Sequence, residues 1–239
     1  MKNLFALRRN LKIKIRRTLS QRIWAPFCRM RYARLYRYPP APERTIEIEI
    51  ASVRSWVKGG AQWGLTFPGE IRDGDWDFQI VSRAERLAKS PKYHAMYQRF
   101  VEKRDWAETS IVEEFERLKA KSGEARGFVD LDEWIEHYTR TYDSLYESLQ
   151  RNGILAAGPG QIGISPIYVH IGRAGDFIYT SDGNHRLFMA MVLGIKTIPV
   201  RVWIRHRRWQ ELRERVLGLD AKDLDGSDQG FLRHPDMKV

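Results

Sequence analysis

Cysteine is almost missing from this chain: Cys28 is the single thiol in 239 residues. That excludes an internal disulfide and a cysteine-built zinc site, and it fits a reducing compartment. Long apolar runs are missing too. The longest, 187–195, is about half of a membrane span and is interrupted by Gly194. The first residues lack the sustained apolar core and small-residue cleavage site of a secretory signal peptide. There are no internal repeats and no low-complexity tract. The six histidines show no metal-ligand spacing, and His94 and His137 fall in helical segments as structural or exposed residues. Acidic residues are absent from the first 42 positions, which hold twelve Lys and Arg, a net of +12. The whole chain carries +11, so residues 43–239 come to −1. The excess charge is therefore an N-terminal arm on a near-neutral body.

What is present in that arm is amphipathic. Leu4, Leu7, Leu11, Ile15 and Leu19 recur at helical spacing, with Arg8, Arg9, Lys12, Arg16 and Arg17 on the other faces. Trp24, Phe27, Tyr32, Tyr36 and Tyr38 follow, interleaved with Arg22, Arg29, Arg31, Arg34 and Arg37. Such a stretch suits an anionic membrane surface or a nucleic acid. It also imitates an acid-poor organelle transit peptide. The structural alternative is an arm whose apolar stripe packs on the body.

Pro39-Pro40-Ala41-Pro42 is a stiff boundary. Beyond it, a hydrophobic fraction of 43% is enough for an ordinary core. Ile46, Ile48 and Ile50 alternate with Thr45, Glu47 and Glu49, a half-buried strand pattern. Residues 54–81 carry five glycines and read as a long loop region with short elements. Within it, Asp75 and Asp77 flank Trp76. Two such carboxylates suit a metal ion or the positioning of a hydroxyl, or else they cap turns while the Trp packs. Helices are expected over 82–103, from Ser110 to Lys121 with a Ser110/Glu113 capping box, and from after Asp130 to Asn152-Gly153. Trp134, Tyr138, Tyr142, Leu145 and Leu149 line one face of the last of these, as core packing. Strands are expected over 162–171, 176–180 and 197–205, then a helix over 209–216 and a polar, loose tail from Leu219. Arg205-His206-Arg207-Arg208 reads as a basic surface turn or as a set of groups reaching a cleft.

The segment with most chemical content is Asp182-Gly183-Asn184-His185-Arg186, between the strand residues 177–181 and the apolar run 187–193. The first N–H groups of a helix have no partner in their own ladder and sit at the positive end of its dipole. A glycine there lets a ligand approach the backbone, and an arginine adds a permanent, bidentate charge. This describes a phosphate cradle, with a capped strand-to-helix turn as the structural alternative.

The residues around that turn add an order. Residues 145–154 (LYESLQRNGI) precede Ser165-Pro166-Ile167-Tyr168-Val169, then come the Gly-Asn-His-Arg turn, Ala190, Gly194 and Ile198-Pro199-Val200. The series resembles the ParB/sulfiredoxin-like superfamily over 142–204, with Thr45 to Ile50 similar to that fold's opening strand. The resemblance implies an α+β fold: a small mixed sheet with flanking helices, a mainly helical insertion at about 55–135, the basic arm at 1–42 and the polar tail at 219–239. It implies that Gly183, Asn184, His185 and Arg186 contact nucleotide phosphate. The sulfiredoxin nucleophile, a cysteine just before the His-Arg pair, is replaced by Asn184, and only about 35 residues follow Ile204, too few for ParB's further domains. A free-standing relative is left, of the kind that includes nucleotide-dependent phosphotransferases and ParB-like nucleases.

The expectation is therefore a cytoplasmic protein that binds a nucleoside di- or triphosphate, with Mg2+, and transfers or hydrolyses a phosphoryl group. Asp182 and His185 are the candidate catalytic groups, and Asp75, Asp77, Arg205 and His206 a supporting set. The alternatives are a nucleic-acid-binding ParB-like protein or nuclease gripping phosphates with residues 1–42, and a non-catalytic module held at a membrane surface by the arm and binding an anionic metabolite.

Overall fold

The computed structural model describes residues 24–58, 67–155, 166–180, 183–220 and 223–238. The arm's leucine stripe, the strand residues 162–165 and Asp182 lie outside the described residues. The described chain divides into a sheet unit (24–58, 67–83, 166–180, 197–220 and 223–238) and a helical unit (84–155 and 183–196).

Isoleucine alternation builds the first strand. In β1 (Thr45–Glu49), Ile46 and Ile48 are buried while Glu47 and Glu49 face water. The others are β2 (Val53–Val57), β3 (Glu70–Arg72), β4 (Ile80–Ser82), β5 (Ile167–Ile171), β6 (Phe177–Tyr179) and β7 (Thr197–His206). They form one mixed sheet in the order β1-β7-β5-β6-β2-β4, with β3 also on β7. Strand β7 organises it. β1 runs antiparallel along Thr197–Arg201. β3 runs parallel along Ile204 to His206 on the same edge. β5 runs parallel on the other edge. Paired on both edges, β7 is buried along most of its length, with Ile198, Val200, Val202 and Ile204 alternating onto one apolar face. The class is thus α+β with a seven-stranded mixed sheet.

The glycine-rich region 54–81 supplies three of these strands, where the sequence suggested loops. Three-residue strands such as β3 and β4 are too short to show a period, and sheet pairing rather than local propensity makes them. Three helices accompany the sheet: α1 (Ala25–Ala33), α8 (Arg207–Gly218) and α9 (Gly226–Leu232). The later half of the basic arm packs. Cys28 and Tyr32 of α1 are buried, and the Tyr38 hydroxyl donates to the Leu217 carbonyl at 2.7 Å.

The expected loose tail is corrected by Asp236, which is fully buried. Its carboxylate accepts from Arg205 Nε at 2.9 Å and Trp209 Nε1 at 3.0 Å, and its carbonyl accepts from Arg213 Nε at 2.9 Å. A buried guanidinium needs such a partner, and the tail provides it.

The helical unit contains α2, which begins at the boundary (Arg83–Ala88), α3 (Pro91–Phe100), α4 (Ile111–Ser122), α5 (Leu131–Tyr138), α6 (Ser144–Asn152) and α7 (Asn184–Val192). The single helix expected over 82–103 breaks at Ser90-Pro91. Ser90 caps α3 by accepting from Tyr93 N–H, and Pro91 takes the first turn, where its missing N–H costs nothing. The Ser110/Glu113 capping box is absent. Ser110 instead donates from its N–H and hydroxyl to Gln98 Oε1, while a capping box forms at Asp105/Glu108. Asp130 caps α5 as expected, and α5 and α6 run on through a wider turn at Thr139–Asp143. No helix among the described residues is long and apolar enough to cross a membrane.

Candidate functional site

Helix α7 starts in an unusual way. Gly183 holds φ +84°, ψ 23°, and no described side chain caps the first turn, which also contains no acid. Only glycine takes that backbone conformation without strain. The first N–H groups of a helix have no partner in its own ladder, and such groups suit an anion. Asn184, His185 and Arg186 follow, all half-buried, before the buried run Leu187 to Ala190. Asn184 Oδ1 is buried with no hydrogen-bond partner among the described residues. The amide's two ends exchange by a flip of its last torsion, so the buried end can offer an acceptor or a pair of donors.

His185 closes an aromatic column. Phe100 stacks on Tyr146 at 3.8 Å and meets Trp106, Trp106 meets Tyr138, and Tyr138 meets Tyr142. Tyr142 then stacks on the imidazole at 4.2 Å, and the Tyr138 hydroxyl lies 3.4 Å from its Nε2. This column is what the aromatic-rich middle of the sequence builds. It fixes the imidazole plane from two sides. Burial, reinforced by the positive charges of Lys92, Arg126 and His137, pushes the His185 pKa down to about 3. The ring is therefore neutral near pH 7. It can donate one N–H to a phosphate oxygen, but it supplies no charge and no proton reservoir.

The nearby charge comes from residues that no motif singles out. Lys92 stands in the first turn of α3, 3.5 Å from the buried carboxylate of Glu114, which also accepts from Arg117 at 2.7 Å. Burial, with Arg126 as the next cause, pushes the Lys92 pKa down to about 8. Arg126 itself sits in a left-handed backbone conformation, φ 56°. Such a conformation in a non-glycine residue persists only where the surroundings hold it. Lys92 and Arg117 thus share the Glu114 carboxylate, and Lys92 and Arg126 are the two basic side chains whose charge bears on His185. No linear motif joins positions 92, 126 and 185.

The remaining candidates belong to the sheet unit and are occupied. Arg173 holds both carboxylates of the 75–77 turn. It donates from Nε to Asp77 Oδ2 at 2.9 Å and from Nη2 to Asp75 Oδ1 at 2.7 Å, and its N–H also donates to Asp77 Oδ2 at 2.9 Å. Asp77 is buried, which opposes its ionisation, but Arg173 outweighs this and holds its pKa low. His206 is buried: Nε2 lies 2.9 Å from the Gly74 carbonyl, and Nδ1 accepts from Arg208 N–H, capping α8. Arg205 is buried on Asp236. Arg205 and His206 are thus buried and occupied, while Arg207 and Arg208 are basic surface residues on the first turn of α8. Among the described residues, no group of three or more His, Cys, Asp or Glu is placed to hold a metal ion. Cys28 is buried, and burial pushes its thiol up to about 11, which removes thiolate chemistry at neutral pH.

No protein-family model, curated protein or solved structure matches this chain.

Proposed function

We propose that the chain is a ParB/sulfiredoxin-like nucleotide-binding protein, taking nucleotide phosphates at the start of α7 and transferring or hydrolysing the terminal phosphoryl group. The observation that carries this reading is the left-handed Gly183 opening α7 with no side-chain cap among the described residues, and Lys92 and Arg126 bearing on the His185 imidazole. Backbone N–H groups of 183–186 would receive phosphate oxygens. Arg186 would pair with one of them in a fork, and neutral His185 would orient another through a single N–H. Lys92 and Arg126 would offset the charge of a polyanion. Mg2+ would arrive on the phosphates, its usual mode of binding.

The test is a thermal-shift screen of the full chain with ATP, ADP, CTP and GTP, each with and without magnesium, beside Arg186→Ala. A ligand at about a hundredfold above its dissociation constant stabilises a fold by roughly 3 kcal/mol, a visible shift. A shift with one nucleotide that disappears in Arg186→Ala supports the reading. No shift with any nucleotide ends it.

A further inference from the structure

One face of α1 is committed to the sheet unit. Cys28 and Tyr32 are buried, and the Cys28 thiol donates to the Gly69 carbonyl at 3.4 Å. Just before the helix, Trp24 donates from Nε1 to the Pro68 carbonyl at 2.9 Å and stacks on Phe67 at 4.8 Å. The helix is therefore pinned, and its other face is presented rather than free to fold away. That face follows helical spacing: Phe27, Met30, Arg31, Arg34 and Leu35 line a shallow open groove. Phe27 is 42% exposed, Met30 57% and Leu35 66%. Large apolar side chains left this open on one face mark an interaction site.

We propose that this face of α1 docks on an anionic lipid bilayer. Its charge selects the occupant. Arg31 and Arg34 make no ion pair among the described residues, and residues 1–42 contain no Asp or Glu. Arginines flanking apolar side chains place guanidinium groups at headgroup level while Phe27, Met30 and Leu35 enter the acyl boundary. A nucleic acid would satisfy the arginines but offers no apolar surface for Met30 and Leu35, which cannot stack on bases as aromatic rings do. A second copy of the chain would bring arginine against arginine. The bilayer satisfies both halves of the face.

Vesicle flotation of the full chain tests this, with phosphatidylcholine alone and with phosphatidylcholine containing phosphatidylserine. The wild-type chain should float only with the anionic vesicles. The triple variant Phe27→Ser/Met30→Ser/Leu35→Ser changes only exposed side chains, and its circular dichroism and melting curve should match the wild type. Its lipid partition coefficient should fall at least about tenfold. Arg31→Gln/Arg34→Gln should lose about fivefold per charge at low salt. A wild-type chain that stays at the bottom of the gradient overturns the proposal. So does a triple variant that floats as well as wild type, since charge elsewhere would then be enough. So does a triple variant that binds vesicles normally but loses oligonucleotide affinity or a self-associated state.

Discussion

The Tyr138 hydroxyl lies 3.4 Å from Nε2 of His185, and this contact, with the Tyr142 stack, sets how the one histidine of the candidate site is used. Held at a pKa of about 3, His185 keeps the same neutral form from pH 5 to 9, whereas Lys92, held at about 8, does not keep its charge over that range. Nucleotide affinity should therefore gain nothing as the pH falls through 6.5. It should weaken as the pH rises from 7 to 9 and Lys92 loses its proton. Calorimetric titration of the nucleotide at four pH values checks both arms, and Lys92→Arg should flatten the alkaline one. A steep gain below pH 6.5 would show that His185 carries charge.

Stability should fall on mild acidification. His170 is 4% exposed, and burial pushes its pKa down to about 3. His185 and His234 are also lowered, chiefly by burial. The unfolded chain takes up these protons below about pH 6.5 while the folded chain refuses them, so the stability present above 6.5 is lost progressively as the pH falls. For His170 alone the loss at pH 5 is about 2 kcal/mol. Urea unfolding at pH 7.5 and 5.0 measures it. His170→Phe should shrink the difference between the two by about that amount.

Asp236→Asn should be among the most damaging changes in the sheet unit. Burial opposes ionisation of Asp236, but the charge and hydrogen bonds of Arg205, with Arg213 and Trp209, hold its pKa at about 2. Neutralising it leaves two buried guanidinium groups without their counter-charge, a loss of about 3–5 kcal/mol. Equilibrium unfolding in urea reads it directly. A loss below about 1 kcal/mol would mean the tail does not anchor the fold.

Asp75 and Asp77 should behave as structural residues. Asp77 is buried and receives four hydrogen bonds from three nitrogens of Arg173, so Asp77→Asn should cost about 1–3 kcal/mol through the weakened charged hydrogen bonds. The Asp75 carboxylate is 79% exposed, and Asp75→Asn should change stability by less than about 1 kcal/mol. Neither change should alter a nucleotide-induced thermal shift beyond its effect on the melting point. A selective loss of that shift in Asp75→Asn would restore the carboxylate to the site.

Gly183→Ala should separate backbone from side chain at the turn. An alanine at φ +84° costs about 1–2 kcal/mol. Relaxing that strain re-aims the first N–H groups of α7. The variant should fold with a melting point lowered by several degrees and lose the nucleotide shift while Arg186 is still present. An unchanged shift would place the ligand's contacts on side chains alone.

Local chemistry was legible from sequence wherever one residue type decides an outcome. The Ile46/Ile48 alternation fixed which face of β1 is buried, because side chains on a strand alternate by necessity. Asp130 announced the start of α5, and the left-handed Gly123 and Gly194 lie just past the ends of α4 and α7, because few residues take those backbone angles cheaply. The Gly183 turn before an apolar helix was visible for the same reason. Tertiary structure decided the rest, because pairing partners far apart in the chain carry no local signature. Three-residue strands in 70–82 exist only through their neighbours. Arg205 reads as surface charge until Asp236, 31 positions on, is seen to bury it. Lys92, Arg126 and His185 come from separate segments, and the two cations bear on the imidazole only once the helical unit has closed. The sequence determined that a glycine turn opens an apolar helix at 183. Long-range electrostatics, which depend on distance in space rather than along the chain, decided which charges stand around it.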